Sequence, residues 1–295
     1  MDERDWLAER FETHRSHLRA VAYRMLGSLS EADDAVQESW LRLSRTQTAA
    51  VENLGGWLTT VVARICLDML RSRTSRREEP FGLPDPIISR VDGIDPEQQA
   101  LLADSVGLAL LVVLQALKPA ERLAFVLHDM FGVPFDEIGP IVGRSPDAAK
   151  MLASRARRRV QATTAVPDTD LPRQREIARA FLAASRDGDF DALVAVLDPD
   201  VILRVDGPLP GEYEELHGAS NVAERALIYS RFAQHTELVL INGVIGLVTV
   251  ADGQPISALA FNFRGDRILE IDVLADATRL RHLGIRRQSI SESPE

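Results

Sequence analysis

The stretch SPDAAKMLASRARRRV, Ser145 to Val160, decides how the first half of this chain is read. From Lys150 to Arg159 it carries five basic residues and no acidic one, although the chain of 295 residues has a formal net charge of −10. Ser145 followed by Pro146 is a helix start: a hydroxyl cap, then proline at the first helical position, where no N–H is needed. Just before it, Gly143 marks a tight turn, and Phe135 to Val142 fits a short helix that opens after Gly132-Val133-Pro134. The pattern is helix, short turn, helix, with the cations on the second helix, as a helix entering the major groove of DNA requires. Ser145 can meet a phosphate at the positive end of that helix, and Lys150, Ser154, Arg155, Arg157 and Arg158 offer donors beyond it. A solvated basic helix end is the plain alternative; the flanking turn and cap favour DNA contact.

The charge around this helix is uneven. Residues 106–165 carry a net +3, whereas 1–80 carry −1, 81–105 carry −4 and 166–295 carry −8. A basic island between acidic segments suits phosphate neutralisation, the main source of non-specific nucleic-acid affinity. Hydrophobic residues at 45% and charged residues at 26% describe a globular protein long enough for two or three domains. The polar opening MDERDWLAER is not a signal peptide, and the longest apolar run, Val106 to Leu117, is too short to span a membrane. The expected compartment is the cytoplasm. A single cysteine, Cys66, excludes an internal disulfide and a cysteine-based zinc site.

Three segments separate on composition. In the first, Ala32, Ala35, Val36, Ser39, Trp40 and Leu43 fall on one helical face, with Ser30 expected as the cap. A second helix starts near Asn53; its apolar stripe includes Leu54, Trp57, Leu58, Val61, Val62 and Ile65, and its end is basic through Arg71, Arg73, Arg76 and Arg77. The linker EEPFGLPDPIISRVDGIDP is too rich in proline and glycine for a long helix, and Asp95-Pro96 starts the next helical segment. From about Leu171 the character changes. One amphipathic helix, Arg173 to Arg186, precedes strand-like runs at 201–205, 237–241, 244–250, 256–263 and 268–274. A helix followed by antiparallel-type strands suggests an α+β domain.

From spacing alone, Asp33, Asp34, Gln37 and Glu38 read as a solvated polar face, and Trp40 and Trp57 as core. Thr59, Thr60, Arg64, Asp68 and Arg71 lie mostly off the apolar stripe and are better candidates for contacts. In the last segment His217, His235 and His282 are scattered, and no glycine-rich phosphate loop is present. A non-catalytic pocket or docking domain is therefore favoured there over an enzyme, with no catalytic residue, metal or cofactor assigned.

Together these pieces resemble the extracytoplasmic-function branch of the bacterial sigma-70 family. EADDAVQESWLRL (Glu31 to Leu43) resembles the region 2.2 helix, through which such factors grip the clamp of the β′ subunit of core RNA polymerase. GGWLTTVVARICLDMLRSRTSRR (Gly55 to Arg77) is similar to regions 2.3 and 2.4, which open and read the minus-ten promoter element. Leu117 to Val160 resembles region 4, which reads the minus-thirty-five element. The resemblance turns Asp33, Asp34, Gln37 and Glu38 into a polymerase-binding surface. It makes Asn53, Trp57, Thr60, Arg64, Asp68 and Arg71 a set that holds the non-template strand, where flipped bases need pockets and phosphates need cations. Arg175 to Gly207 resembles the start of a SnoaL-like domain of the NTF2-like cone fold, whose helices and curved sheet enclose a pocket able to take a small ligand.

The fold implied is two all-α sigma domains followed by an α+β cone domain. The expected division is region 2 at 1–77, linker at 78–95, region 4 at 96–165 and cone domain at 166–295. The resemblance implies a promoter-specificity factor whose partners are core RNA polymerase and promoter DNA. It implies no membrane and no dedicated anti-sigma factor, because the subgroup with this extension generally works without one. The chain departs from the family pattern in places. Leu152 stands where a basic residue is common, and Ala148-Ala149 replaces the threonine-valine pair before Lys150. Gly82 stands where the subgroup's linker has tryptophan, DGPLP (Asp206 to Pro210) replaces its glycine-rich loop, and ADATRL (Ala275 to Leu280) replaces its NPDKL motif. Two other readings use the same pieces: an isomerase or cyclase fused to a DNA-binding module, and a ligand-responsive helix-turn-helix repressor. The second leaves Glu31 to Leu43 and the second DNA-reading segment unexplained.

Overall fold

The computed structural model describes residues 3–45, 53–76, 82–91, 107–163, 170–207 and 212–283. The expected domain boundaries and the Asp95-Pro96 helix start lie outside these residues, as do Arg77 and 208–210 of the DGPLP stretch. The chain divides into two compact units: one joins the first three helices to residues 111–163, and the other joins residues 81–98 and 105–110 to everything from 164 onward.

The first unit is all-helical. Helices α1 (Glu3–Leu26), α2 (Leu29–Leu43) and α3 (Leu54–Arg76) bury Phe11, Leu18, Met25, Val36, Leu58 and Leu67 between them. Gly27, at φ 77°, ends α1 and lets the chain reverse into α2. The cap of α2 is Ser28 rather than Ser30, which lies in the first turn, and neither serine makes a side-chain cap bond. The expected stripe holds: Ala32, Ala35, Val36, Ser39 and Leu43 are buried, and Trp40, half-buried, packs on the Phe11 ring at 5.2 Å between centroids. Asn53 starts α3, its Oδ1 accepting from Gly56 N at 3.0 Å.

Next in the chain is α4 (Leu108–Gln115), of which residues 111–115 belong to this unit, followed by α5 (Pro119–Phe125), a π turn (Val126–Met130), α6 (Phe135–Val142) and α7 (Pro146–Thr163). Gly143, at φ 70°, turns the chain between α6 and α7. A β-carbon on Gly139 would lie 2.9 Å from Arg144 O, so the turn approaches α6 closely enough to need glycine there.

The second unit is α+β. Helices α8 (Leu171–Asp187) and α9 (Phe190–Val196) are capped by Asp170 and Asp189, whose carboxylates accept from Arg173 N and Ala192 N. The strands are β1 (Ile88–Ser89), β2 (Leu197–Asp206), β3 (Tyr213–His217), β4 (Thr236–Ile241), β5 (Val244–Ala251), β6 (Gln254–Arg264) and β7 (Arg267–Leu274), with α10 (Ala219–Ile228) after β3 and α11 (Ala277–His282) last. They form a sheet in the order β1-β4-β5-β6-β7-β2-β3. The expected antiparallel meander runs from β4 to β7, but β2 pairs parallel with β7. Asn242-Gly243 and Asp252-Gly253, all at positive φ, make two of the three two-residue hairpins among the described residues, as Asn-Gly and Asp-Gly favour, and Gly265-Asp266 makes the third. Phe181, Leu182, Leu193 and Val222 pack from the helices onto Leu203, Leu247, Phe261 and Ile271 of the sheet.

The proline-rich linker is not a plain connector. Ile88 and Ser89 pair with Ile241 and Leu240, and Asn242 both donates to Ile87 O and accepts from Ile87 N. Arg279 of α11 donates to Asp85 at 2.6 Å, to Leu83 O at 2.5 Å and to Asp206, while Asp206 also accepts from Leu83 N at 3.1 Å. A β-carbon on Gly82 would collide with the Asp206 carboxylate. A larger side chain at position 82 would require that carboxylate to move.

On the sheet face opposite the helices, Arg204 donates to Asp272 and Glu270, each at 3.0 Å, and Asn262 donates to Glu270 at 2.9 Å. Burial pushes the Asp272 carboxyl up to about 6, with Arg204 pulling against it. An unfolded aspartate titrates near 4, so from about pH 4 to about pH 6 the folded chain holds a proton the unfolded chain has lost, and stability falls as pH rises. Asp272→Asn should therefore show a flatter thermal midpoint than the parent across that window, measured by calorimetry. Parallel pH profiles for the two proteins would contradict this.

Candidate nucleic-acid interface

Helix α7 is held by acids on the elements beneath it. Ser145 Oγ caps it, accepting from Ala148 N at 3.3 Å. Glu121 of α5, itself buried, pairs with Arg155 at 3.2 Å and Arg159 at 3.5 Å. Asp129 of the π turn pairs with Arg157 at 2.5 Å. Lys150, Ser154 and Arg158 follow one another at four-residue spacing and so share a face. Lys150 and Arg158 are exposed and make no ion pair among the described residues. The basic run therefore divides into arginines that fasten α7 and cations that point outward. Leu152 is buried, so this position packs into the fold and presents no cation, and Ala149 is fully buried. Arg144, exposed in the turn before Ser145, is a further cation at the same end that sequence reasoning passed over. Its position beside Gly143 was the available signal.

On α3, Asn53, Arg64, Asp68 and Arg71 are exposed, and Trp57 and Thr60 are half-buried. Arg64, Asp68 and Arg71 recur at i, i+4 and i+7 along one face, with Arg71 and Asp68 4.0 Å apart. Trp57 thus lies between the core reading from spacing and the contact reading from resemblance. Thr59, by contrast, is buried: its hydroxyl donates to Gly55 O at 2.8 Å and lies 3.2 Å from His17 Nε2.

The acidic helix α2 is also divided. Arg19 of α1 grips Asp33 with two donors, at 2.6 and 3.1 Å. Glu38 takes a bond from Arg42 at 2.9 Å. Asp34 and Gln37 face solvent, and Leu41 beside them is 40% exposed. Leu41 is an apolar neighbour that sequence reasoning missed; the signal was a leucine off the buried stripe.

Among the described residues no group of three or more metal-ligating side chains gathers, and no helix is long and apolar enough to cross a membrane. Of the C-terminal histidines, His217 bonds Glu215 at 2.9 Å and His282 bonds Thr278 O at 2.6 Å.

The pattern of the family described as Sigma-70 region 2 matches residues 10–76, and that of Sigma-70, region 4 matches residues 107–160. A chain with both, in this order, is an RNA polymerase sigma factor. The ECF RNA polymerase sigma factor SigJ of Mycobacterium tuberculosis is 40% identical over 249 residues, spanning 81% of this chain and 80% of that protein. The probable ECF RNA polymerase sigma factor SigI of the same species is 37% identical over 209 residues, spanning 70% and 72%. The crystal structure of M. tuberculosis SigJ superposes with a TM-score of 0.75 at 34% identity, covering 93% of this chain and 98% of that one. The chain belongs to the extracytoplasmic-function branch of the sigma-70 family. It directs core RNA polymerase to promoters, and the fused-enzyme and repressor readings are not favoured.

The turn that presents α7 is open to test. Nothing lies within 4 Å of a β-carbon built on Gly143, so the cost of Gly143→Ala is the backbone's alone. That substitution should destabilise the chain by about 1 kcal/mol in chemical denaturation, after the smaller entropy of the unfolded alanine chain is allowed for. An unchanged midpoint would show that the left-handed turn is not required.

Proposed function

We propose that α3 and α7 are the two promoter readers of this factor, for the minus-ten and minus-thirty-five elements respectively. The observation that carries the reading is the outward row Lys150, Ser154 and Arg158 on a helix whose other arginines are fastened to Glu121 and Asp129. On this reading Ser145 meets a phosphate at the N-terminus of α7, and Arg155 and Arg157 position the helix from beneath while lending charge. Asn53, Trp57, Thr60, Arg64, Asp68 and Arg71 hold the non-template strand. Asp34 and Gln37, flanked by Asp33, Glu38 and the exposed Leu41, face the β′ clamp. Electrostatic complementarity of that kind sets association rate and specificity. The work is binding and positioning of DNA, without chemistry by the protein, and its compartment is the cytoplasm.

The division into region 2 at 1–77, linker at 78–95, region 4 at 96–165 and cone domain at 166–295 belongs to the same proposal. The C-terminal domain regulates the factor through the linker, in place of a dedicated anti-sigma protein. Support comes from Arg279, Asp206 and β4, which engage Leu83, Asp85 and Ile88–Ser89. A small ligand of the cone domain would act on the same clasp.

Lys150→Ala and Arg158→Ala should each weaken promoter binding by holoenzyme and lower the slope of log affinity against log salt by about 1. An unchanged slope would remove those residues from the interface. Arg279→Ala should change promoter-dependent transcription with purified core polymerase in the same direction as deletion of residues 166–295. Parent-like transcription from both would sink the regulatory role.

A further inference from the structure

Within the first unit, region 4 closes directly on region 2. Phe131, just after the π turn, meets the His17 ring edge-on at 5.2 Å and lies under the Arg24 guanidinium at 4.9 Å. The seam holds a cavity of about 290 Å³, lined by His14, Thr60, Phe131 and Glu137 among others. Thr60, on the minus-ten reading helix, is thus turned towards region 4. Promoter elements centred near minus ten and minus thirty-five are about 25 base pairs apart, roughly 85 Å of duplex at 3.4 Å per base pair. Two regions in mutual contact cannot occupy both, so this closure must open for the factor to work.

One residue in the seam works against the closure. Arg122 crosses from α5 to donate Nε to Arg24 O at 3.2 Å, and it is 3% exposed. Its Nη2 is buried with no acceptor among the described residues. Burial and the neighbouring Arg73 cation pull the guanidinium down to about 9. Cys66 offers no counter-charge, because burial pushes its thiol up to about 12. Glu31 is engaged by Arg73, and Glu121 by Arg155 and Arg159. A buried charge without a partner is strongly destabilising, whereas an apolar side chain of similar volume in its place often stabilises.

We propose that Arg122 is a spring built into an autoinhibitory contact: region 4 covers region 2 in the free factor, and the unpaired guanidinium keeps that closure weak enough to open. Polymerase and promoter then complete an opening that hydration of Arg122 already favours. The inference rests on the reading of α3 as the minus-ten helix.

Arg122→Met keeps much of the volume of the side chain, though it is shorter, and removes its charge. Full-length protein labelled at Glu9→Cys and Gln161→Cys, with Cys66 buried and unlabelled, reports the distance between the regions by energy transfer. Arg122→Met should raise the thermal midpoint, shift the population towards the short distance and weaken binding of a single-stranded minus-ten oligonucleotide roughly tenfold. Phe131→Ala, which removes the ring contacts but leaves the charge, should do the reverse on the last two readouts. Unchanged distance and affinity in Arg122→Met, or a lower midpoint with a longer distance, would overturn the spring. If Arg122→Met closes the pair and the oligonucleotide still binds as before, the spring stands as a mechanical device but is not autoinhibitory, which overturns the proposal as stated. Loss of oligonucleotide binding by Arg64→Ala identifies α3 as the reader independently of Arg122, so failure of that reading is recognised separately.

Discussion

Arg279 reaches from α11 to the carboxylates of Asp85 and Asp206 and to the carbonyl of Leu83. A guanidinium drawn out of water needs acceptors, preferably charged ones, and the second unit depends on meeting that need. The same bonds that satisfy Arg279 hold the linker, and with it the edge strand β1 beside β4. Arg204 applies the rule on the sheet face, where Glu270 and Asp272 surround it. In the first unit Glu121 and Asp129 do the reverse: two acids anchor three arginines of α7 and thereby orient the helix. Arg122 is where, among the described residues, the pairing fails.

Local elements were legible because short-range chemistry marks them. Gly132, Pro134, Gly143 and Pro146 punctuate region 4, and the structure starts and stops α6 and α7 at those points. The five strands read from periodicity all occur: β2 is longer than expected by five residues and β6 by three, and β4, β5 and β7 by one each. The cap of α2 slipped by two residues because Ser28 and Ser30 offer the same hydroxyl, and only the reversal at Gly27 selects between them. Strand β1 was missed because two residues carry no periodicity; Asn242 and the free edge of β4 make it a strand. The β2–β7 pairing was missed because local pattern contains no information on which strands become neighbours.

The candidate site was legible as residue types at helical spacing, together with family resemblance. How the residues divide was not. Arg155 and Arg158 look alike in the sequence, yet one sits over Glu121 and the other faces outward. Asp33 and Asp34 are adjacent, yet Arg19 takes only the first. Thr59 is buried against His17 while Thr60 lines the seam with region 4. Leu41 stood outside the polar pattern being sought, and its exposure emerges only from how α2 packs.

The amino-acid order determined the class: two helical sigma regions, the basic helix from Pro146, and an α+β domain of opposite charge. These depend on caps, turns, periodicity and charge, all interactions between residues a few positions apart. The tertiary structure alone decided that Ile88–Ser89 of the linker form a strand, that Gly82 faces Asp206, and that Arg155, Arg157 and Arg159 are fastened while Arg158 is left outward. It also decided that region 4 covers Thr60 and leaves Arg122 without a counter-charge among the described residues. Each of these pairs residues far apart in the chain, and such pairs are chosen by packing and by the cost of burying charge.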